Sequence, residues 1–181
     1  MPLGLLHVLL LLLLLPACAR PPQVETRTLI LEDAGGTVAG VAFGQGVFVA
    51  VAPFRIFLSE DGERWEVIGV PVRLNAVRYS EVGFLAVGNA GYVFRSQDGR
   101  TWERFNVGRE WDLSDVAYGG GVYVLLAERG EILVTRDLRH VRRVRLDLPE
   151  GYGVYEGDYG RGRFVLNADV FRMVLVTVKG E

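Results

Sequence analysis

The chain has 181 residues, half of them apolar, with 23 glycines and seven prolines, which fits one globular domain behind an unusual N-terminus. A net charge of −2 and a pI near 5.8 exclude a broad electrostatic grip on nucleic acid or acidic lipid. The basic side chains are nearly all arginine, Lys179 being the only lysine. That skew fits genome composition or heat adaptation and nominates no partner.

The N-terminus comes first in chain order. From Leu5 to Leu15 every residue except His7 is apolar, and no charge appears before Arg20. A membrane span needs roughly 20 apolar residues, so this run is short for an anchor and the right length for a signal-peptide core. Leu15-Pro16-Ala17-Cys18 then resembles the lipobox of bacterial lipoproteins, whose cysteine is lipidated and becomes the mature N-terminus. The resemblance implies a signal peptide over 1–17, lipidation at Cys18 and a tether over 18–25, stiffened by Pro21 and Pro22. It further implies an exported protein held in the bacterial cell envelope, at the outer membrane or the outer face of the cytoplasmic membrane. An acylated cysteine of this kind carries more than one chain, enough for stable anchoring. Cys18 is the only cysteine, so no internal disulfide can form. An ordinary signal peptide cleaved after Ala17 or Ala19, with Cys18 incidental, is the other reading of the same residues.

The rest of the chain aligns with itself four times. The segments Val38–Ala52, Leu74–Gly88, Leu113–Ala127 and Val154–Ala168 each place an aromatic residue at the end of one short apolar run. A Gly- or Ser-containing turn follows, and five residues later a second aromatic opens the next run. The first aromatics, Phe43, Tyr79, Tyr118 and Tyr159, are 36, 39 and 41 residues apart. Apolar residues run continuously or alternate over short stretches between glycine-rich turns, with no sustained 3.6 period, so strands are predicted and helices are not.

A third strand and a turn follow in the first three copies. The turns contain Ser59, Asp61, Gly62 and Trp65, then Ser96, Asp98, Gly99 and Trp102. The third copy keeps Thr135 and Asp137 but has Leu138 and Val141 in place of the glycine and tryptophan. The expected role is structural: hydroxyl and carboxylate accept backbone N–H bonds, glycine permits positive φ, and tryptophan starts the next strand. This S-x-D-G-x-x-W pattern resembles the Asp box of bacterial neuraminidase-type repeats and of propellers related to photosystem II assembly factors. The resemblance spans residues 26–181.

The architecture expected is an all-β propeller of about four blades, each a four-stranded antiparallel sheet. The repeats occupy about 36–71, 72–108, 109–149 and 150–181. A fourth strand follows each turn, at 65–70, 102–107 and 141–148, whereas the last copy stops short of one. Residues 26–31 lie before the first repeat where such a strand would sit, so they are expected to complete the last blade and close the ring. A monomer is expected, with two chains sharing an eight-bladed ring as the alternative.

Chemistry is sparse. His7 lies in the signal segment, and His140, the only other histidine, sits in the third turn among arginines, where it is read as a turn residue. No metal site, cofactor or catalytic triad is expected. The arginines around His140, Arg139, Arg142, Arg143 and Arg145, are read as an outer strand kept from edge pairing by charge, with a basic patch for an acidic partner or phosphate as the alternative. The Asp-box resemblance raises a glycosidase, since sialidases carry the same boxes. In that family the boxes lie away from the active site, and its catalytic groups cannot be placed here. Asn75, Asp112, Ser114, Asp115 and Glu156 fall in loops expected to converge at one end of a central channel, making them candidate ligand-binding residues. Arg78 and Asp158, at equivalent inner-strand positions, are expected to pair across it. The function expected is a non-enzymatic, lipid-anchored module binding a protein or glycan, with a reduced sialidase-like enzyme or lectin as the alternative.

Overall fold

The computed structural model describes residues 23–31, 34–168 and 171–179. The signal segment 1–17 and Cys18 lie outside the described residues, as does the tether up to Pro22. The described chain is all β. Strands β1 (Gly40–Gly44), β2 (Val47–Ser59), β3 (Glu66–Ser80), β4 (Gly83–Gly88), β5 (Tyr92–Ser96) and β6 (Glu103–Asn106) form one sheet in chain order. Strands β7 (Leu113–Gly119), β8 (Val122–Ala127), β9 (Glu131–Thr135) and β10 (Val141–Arg145) form a second. Strands β11 (Glu156–Gly160), β12 (Arg163–Asn167) and β13 (Met173–Val176) form a third. Every pairing is antiparallel. No helix among the described residues is long and apolar enough to cross a membrane.

The aromatic pairs set the register of each inner hairpin. Phe43 faces Phe48, Tyr79 faces Phe84, Tyr118 faces Tyr123 and Tyr159 faces Phe164. Their ring centroids lie 4.6 to 4.9 Å apart in tilted geometry, the arrangement aromatic quadrupoles favour. Strands β2 and β3 are long because each runs through a point where other repeats separate two strands. The register breaks between Pro53 and Arg55, where Phe54 takes φ 62°, and again between Leu74 and Ala76.

Apolar side chains on both faces bury the second strand of the middle repeats. Every residue of β4 and β8 is buried, which is why their sequences run apolar instead of alternating. The core is a series of three joints. Val47, Val49 and Val51 of the first repeat pack on Phe84 and Ala86 of the second. Leu85 and Val87 pack on Tyr123 and Leu125 of the third, and Val122, Val124 and Leu126 pack on Phe164 and Leu166 of the fourth. Between fourth and first repeats no such joint occurs among the described residues. At the equivalent forward positions the fourth repeat carries Arg163, Val165 and Asn167, all exposed.

The expected closure by residues 26–31 is not what forms. Residues 23–31 contain no strand, and the third sheet ends at β13. Instead Leu31 packs on the first repeat beside Phe57 and Trp65, Leu29 and Ile30 stay exposed, and Arg27 pairs with Glu63 at 2.9 Å. The physical reason is the open face of the first repeat. Ala50, Ala52 and Phe57 are covered there by Ala34 and Leu31, so the end of the segment is held by apolar contact and not by a hydrogen-bond ladder, while residues 23–30 are exposed.

Candidate functional site

The two ends of the sheets differ in chemistry. At one end sit the turns after β2, β5 and β9. The Ser59 hydroxyl accepts the Gly62 N–H at 2.8 Å, and Asp61 accepts the N–H groups of Glu63 and Arg64 at 2.8 and 2.9 Å. Ser96 and Asp98 do the same for Gly99, Arg100 and Thr101 at 2.8 Å each. Trp65 and Trp102 donate from their indole N–H groups to the carbonyls of Gly62 and Gly99. The third turn keeps this bonding: Thr135 accepts from Leu138 at 3.0 Å, and Asp137 from Arg139 and His140 at 2.9 and 2.8 Å. Leu138 holds φ 61° where Gly62 and Gly99 have 75° and 74°. Its side chain, buried in the joint between the second and third repeats, offsets that backbone cost.

These bonds shift the acids. The Arg64 N–H, then that of Glu63, hold the Asp61 carboxyl well below the usual carboxylate range. The N–H groups of Thr101 and Arg100 lower Asp98, and the backbone and side chain of His140 lower Asp137. His140 Nδ1 lies 2.7 Å from Asp137, at a turn far from the inner strands.

At the opposite end the five residues expected in loops separate into three groups, and only Asp112 lies between strands: Asn75 falls in β3, Ser114 and Asp115 in β7 and Glu156 at the start of β11. Asn75 and Asp112 meet through Asn89: Asn75 donates to Asn89 Oδ1 at 2.7 Å and to the Leu113 carbonyl at 2.8 Å, while Asn89 donates to Asp112 at 3.1 Å. Asp112 also accepts the Ala90 N–H at 2.9 Å. Ser114 bridges to the Leu126 and Val154 carbonyls at 3.3 Å. Asp115 and Glu156 are joined by Arg78. Asn89 escaped the sequence reading, although its place directly after the second repeat's buried strand β4 marked it as a loop residue.

Arg78 organises the inner strands. Its Nε and Nη2 reach both oxygens of Asp115 at 2.9 and 2.8 Å, and Nη2 also reaches Glu156 at 2.8 Å. Asp115 is buried and takes a further bond from the Gly157 N–H at 3.1 Å. The hydrogen bonds from Asp115 outweigh the desolvation of Arg78 and raise its guanidinium above the ordinary arginine value. The expected pairing of Arg78 with Asp158 does not occur. Asp115 lies on the neighbouring inner strand, close enough for a bidentate fork, and Asp158 instead accepts its own neighbour's N–H, from Tyr159 at 2.7 Å. Arg78, Glu156 and Asp158 line a cavity of about 570 Å³ between the inner strands, with Phe43, Tyr79 and Tyr118 on its walls. No group of three or more metal-ligating side chains occurs among the described residues.

Inner strands bearing short antiparallel sheets, joined face to face in chain order around one cavity, define a propeller-like all-β protein. No family model matches the chain, and no curated protein matches it. Solved structures do resemble it. The computationally designed Ika4 protein aligns with a TM-score of 0.67 at 15% identity, over 86% of this chain and 100% of its own. YCF48 bound to D1 peptide aligns at 0.64 and 16% identity, over 80% of this chain and 51% of its own. A streptogramin B lyase structure aligns at 0.63 and 10% identity, over 83% of this chain and 57% of its own. YCF48 and the lyase are β-propellers. The chain therefore spans about half the length of the YCF48 chain it resembles, and identities this low speak for the fold alone.

Proposed function

We propose that this protein is a non-enzymatic binding module: a small propeller of four blades, tethered to the bacterial envelope through lipid on Cys18, that holds a protein or glycan partner on its loop end. The observation that carries the binding reading is the state of the inner carboxylates. Asp115 and Glu156, on neighbouring inner strands, share one guanidinium, so they brace those strands. Glycoside hydrolysis needs one carboxyl placed to give a proton and a second with an oxygen open to the sugar or to water, whereas both oxygens of Asp115 are taken by Arg78. YCF48, bound to D1 peptide, is an example of this fold holding a protein segment.

The second reading is a carbohydrate-active enzyme or lectin, favoured by Glu156 and Asp158 both lining the 570 Å³ cavity. Photo-crosslinkers placed in living cells decide between the readings. One goes at the loop end, at Tyr155, and another at the turn end, at Arg139. Adducts of defined mass from Tyr155 alone support the binding module. Glycoside hydrolysis abolished by Glu156→Gln would overturn it. The mass of the protein extracted from membranes tests the tether, which predicts acyl chains on Cys18 and a soluble protein from Cys18→Ser.

A further inference from the structure

Like positions at the loop end can be compared between repeats. The turn Asn89-Ala90-Gly91 and the turn Glu128-Arg129-Gly130 share a backbone: φ is 51° and 69° at Ala90 and Gly91, and 65° and 71° at Arg129 and Gly130. The Gly91 carbonyl accepts the Val107 N–H at 2.9 Å, and the Gly130 carbonyl accepts the Leu146 N–H at 2.9 Å. Asn75 donates to the Leu113 carbonyl, and Ser114, at the matching position, donates to the Val154 carbonyl. These two bonds and the paired positive φ angles give the two frames a common backbone outline.

Their filling differs. In the first frame Asp112 places its carboxylate on the Ala90 N–H and the Asn89 amide and closes the space. In the second, Gly153 stands in the place of Asp112, the short Ser114 replaces Asn75, and the connection is longer, residues 147–153 against 108–112. A cavity of about 840 Å³ opens there. Arg129, Arg145, Tyr152 and Tyr155 line it, and neither arginine has an ion-pair partner among the described residues. Glu128 and Glu150 also line it, offering acceptors beside the cations.

We infer that this cavity binds the carboxylate of a peptide, seated where the Asp112 carboxylate sits one repeat earlier. The carboxylate accepts the Arg129 N–H, which Gly153 leaves without the acceptor that Ala90 has, and pairs with the guanidinium groups of Arg129 and Arg145 in charge-assisted hydrogen bonds. Glu128 and Glu150 can accept the main-chain N–H groups that flank an acidic residue, and Tyr155 is exposed and offers a flat face to the peptide, while Tyr152 carries the Arg172 guanidinium over its ring at 5.3 Å. The inference rests on the binding-module reading and adds its subsite and its chemistry.

The test is a titration of the ¹⁵N-labelled full chain, followed by NMR, with acetyl-Gly-Asp-Gly-amide, its Asn counterpart, and acetyl-Gly-Gly-Gly bearing a free C-terminal carboxylate. Saturable shifts of the Arg129 and Arg145 signals with the Asp peptide but not the Asn peptide are expected. Shifts with the third peptide alone would assign the site to chain termini. Gly153→Asp supplies the carboxylate from within, as Asp112 does, and a Cβ at Gly153 meets nothing closer than 3.9 Å. That variant should fold, raise the melting temperature and weaken the peptide by roughly tenfold or more. Equal response to Asp and Asn peptides, or unchanged affinity in folded Gly153→Asp, overturns the inference. Carboxylate-dependent shifts confined to Arg78 and its neighbours would overturn this site while leaving the binding module standing.

Discussion

The joints between repeats and the gap between the last repeat and the first are built from the same positions yet end differently. At the joint of first and second repeats, Tyr79 lies on Gly44, where an added Cβ would fall 2.2 Å from the ring. At the joint of third and fourth, Tyr159 lies on Gly119 in the same way, at 1.9 Å. The matching residues at the gap are Phe43 and Gly160. Phe43 is 56% exposed, and nothing lies within 4 Å of a Cβ at Gly160. Two of the three joints thus seat an aromatic ring on a bare backbone, the joint of second and third repeats has Ser80 at that position, and having glycine and ring in the chain does not by itself bring them together. Arg163 and Asn167 add polar groups to the gap-side face of the fourth repeat.

The largest blow to the joined side should come from Arg78→Ala, which leaves the buried Asp115 carboxylate with one backbone N–H. Because Arg78 is itself 41% exposed, the loss is set near the lower bound for breaking a buried pair, about 3 kcal/mol, read by denaturant unfolding. Lysine at this position should not restore it, since the bidentate fork is lost. A neutral result would mean that Arg78 does not brace the inner strands.

Glycine substitutions address the comparison directly. Gly119→Ala should cost about 2 kcal/mol by driving a methyl into the Tyr159 ring, whereas Gly160→Ala should stay within about 0.5 kcal/mol. Equal costs at the two positions would show that the gap closes in solution. Acid should then separate turn-bearing repeats from the fourth, which lacks the turn. The carboxyls of Asp61, Asp98 and Asp137 are lowered in the fold, so their contribution is complete above the unfolded value near 4 and is lost as pH falls through the folded values. Melting temperatures should fall progressively below about pH 4, and Asp61→Asn should flatten that decline. Phe43→Ser removes only the contact with Phe48 on its own hairpin, since no second repeat covers the ring, and is expected to cost less than about 1 kcal/mol.

Much of this was legible in the chain. The aromatic pairs predicted hairpins because cross-strand partners five residues apart enclose a tight turn, and Phe43–Phe48 through Tyr159–Phe164 form those pairs. The outer strands after Trp65, Trp102 and His140 follow from the same short-range logic. Two expectations failed at longer range. Residues 26–31 had strand-like composition, yet composition does not say whether a segment finds a hydrogen-bonding edge or an apolar face. Arg78 was recognised as an inner-strand charge, but whether it meets Asp115 or Asp158 depends on the spacing of neighbouring inner strands.

What the amino-acid order determined by itself is therefore local: strands, their hairpin registers and the turn bonds of Ser59, Asp61 and their counterparts, all made between residues a few positions apart. Tertiary structure alone decided the partner of Arg78, the resting place of the N-terminal segment, the gap beside Gly160 and the cavity beside Gly153. Each of these depends on how far apart two sheets or two loops come to rest, a distance set by the packing of side chains tens of residues away in the chain.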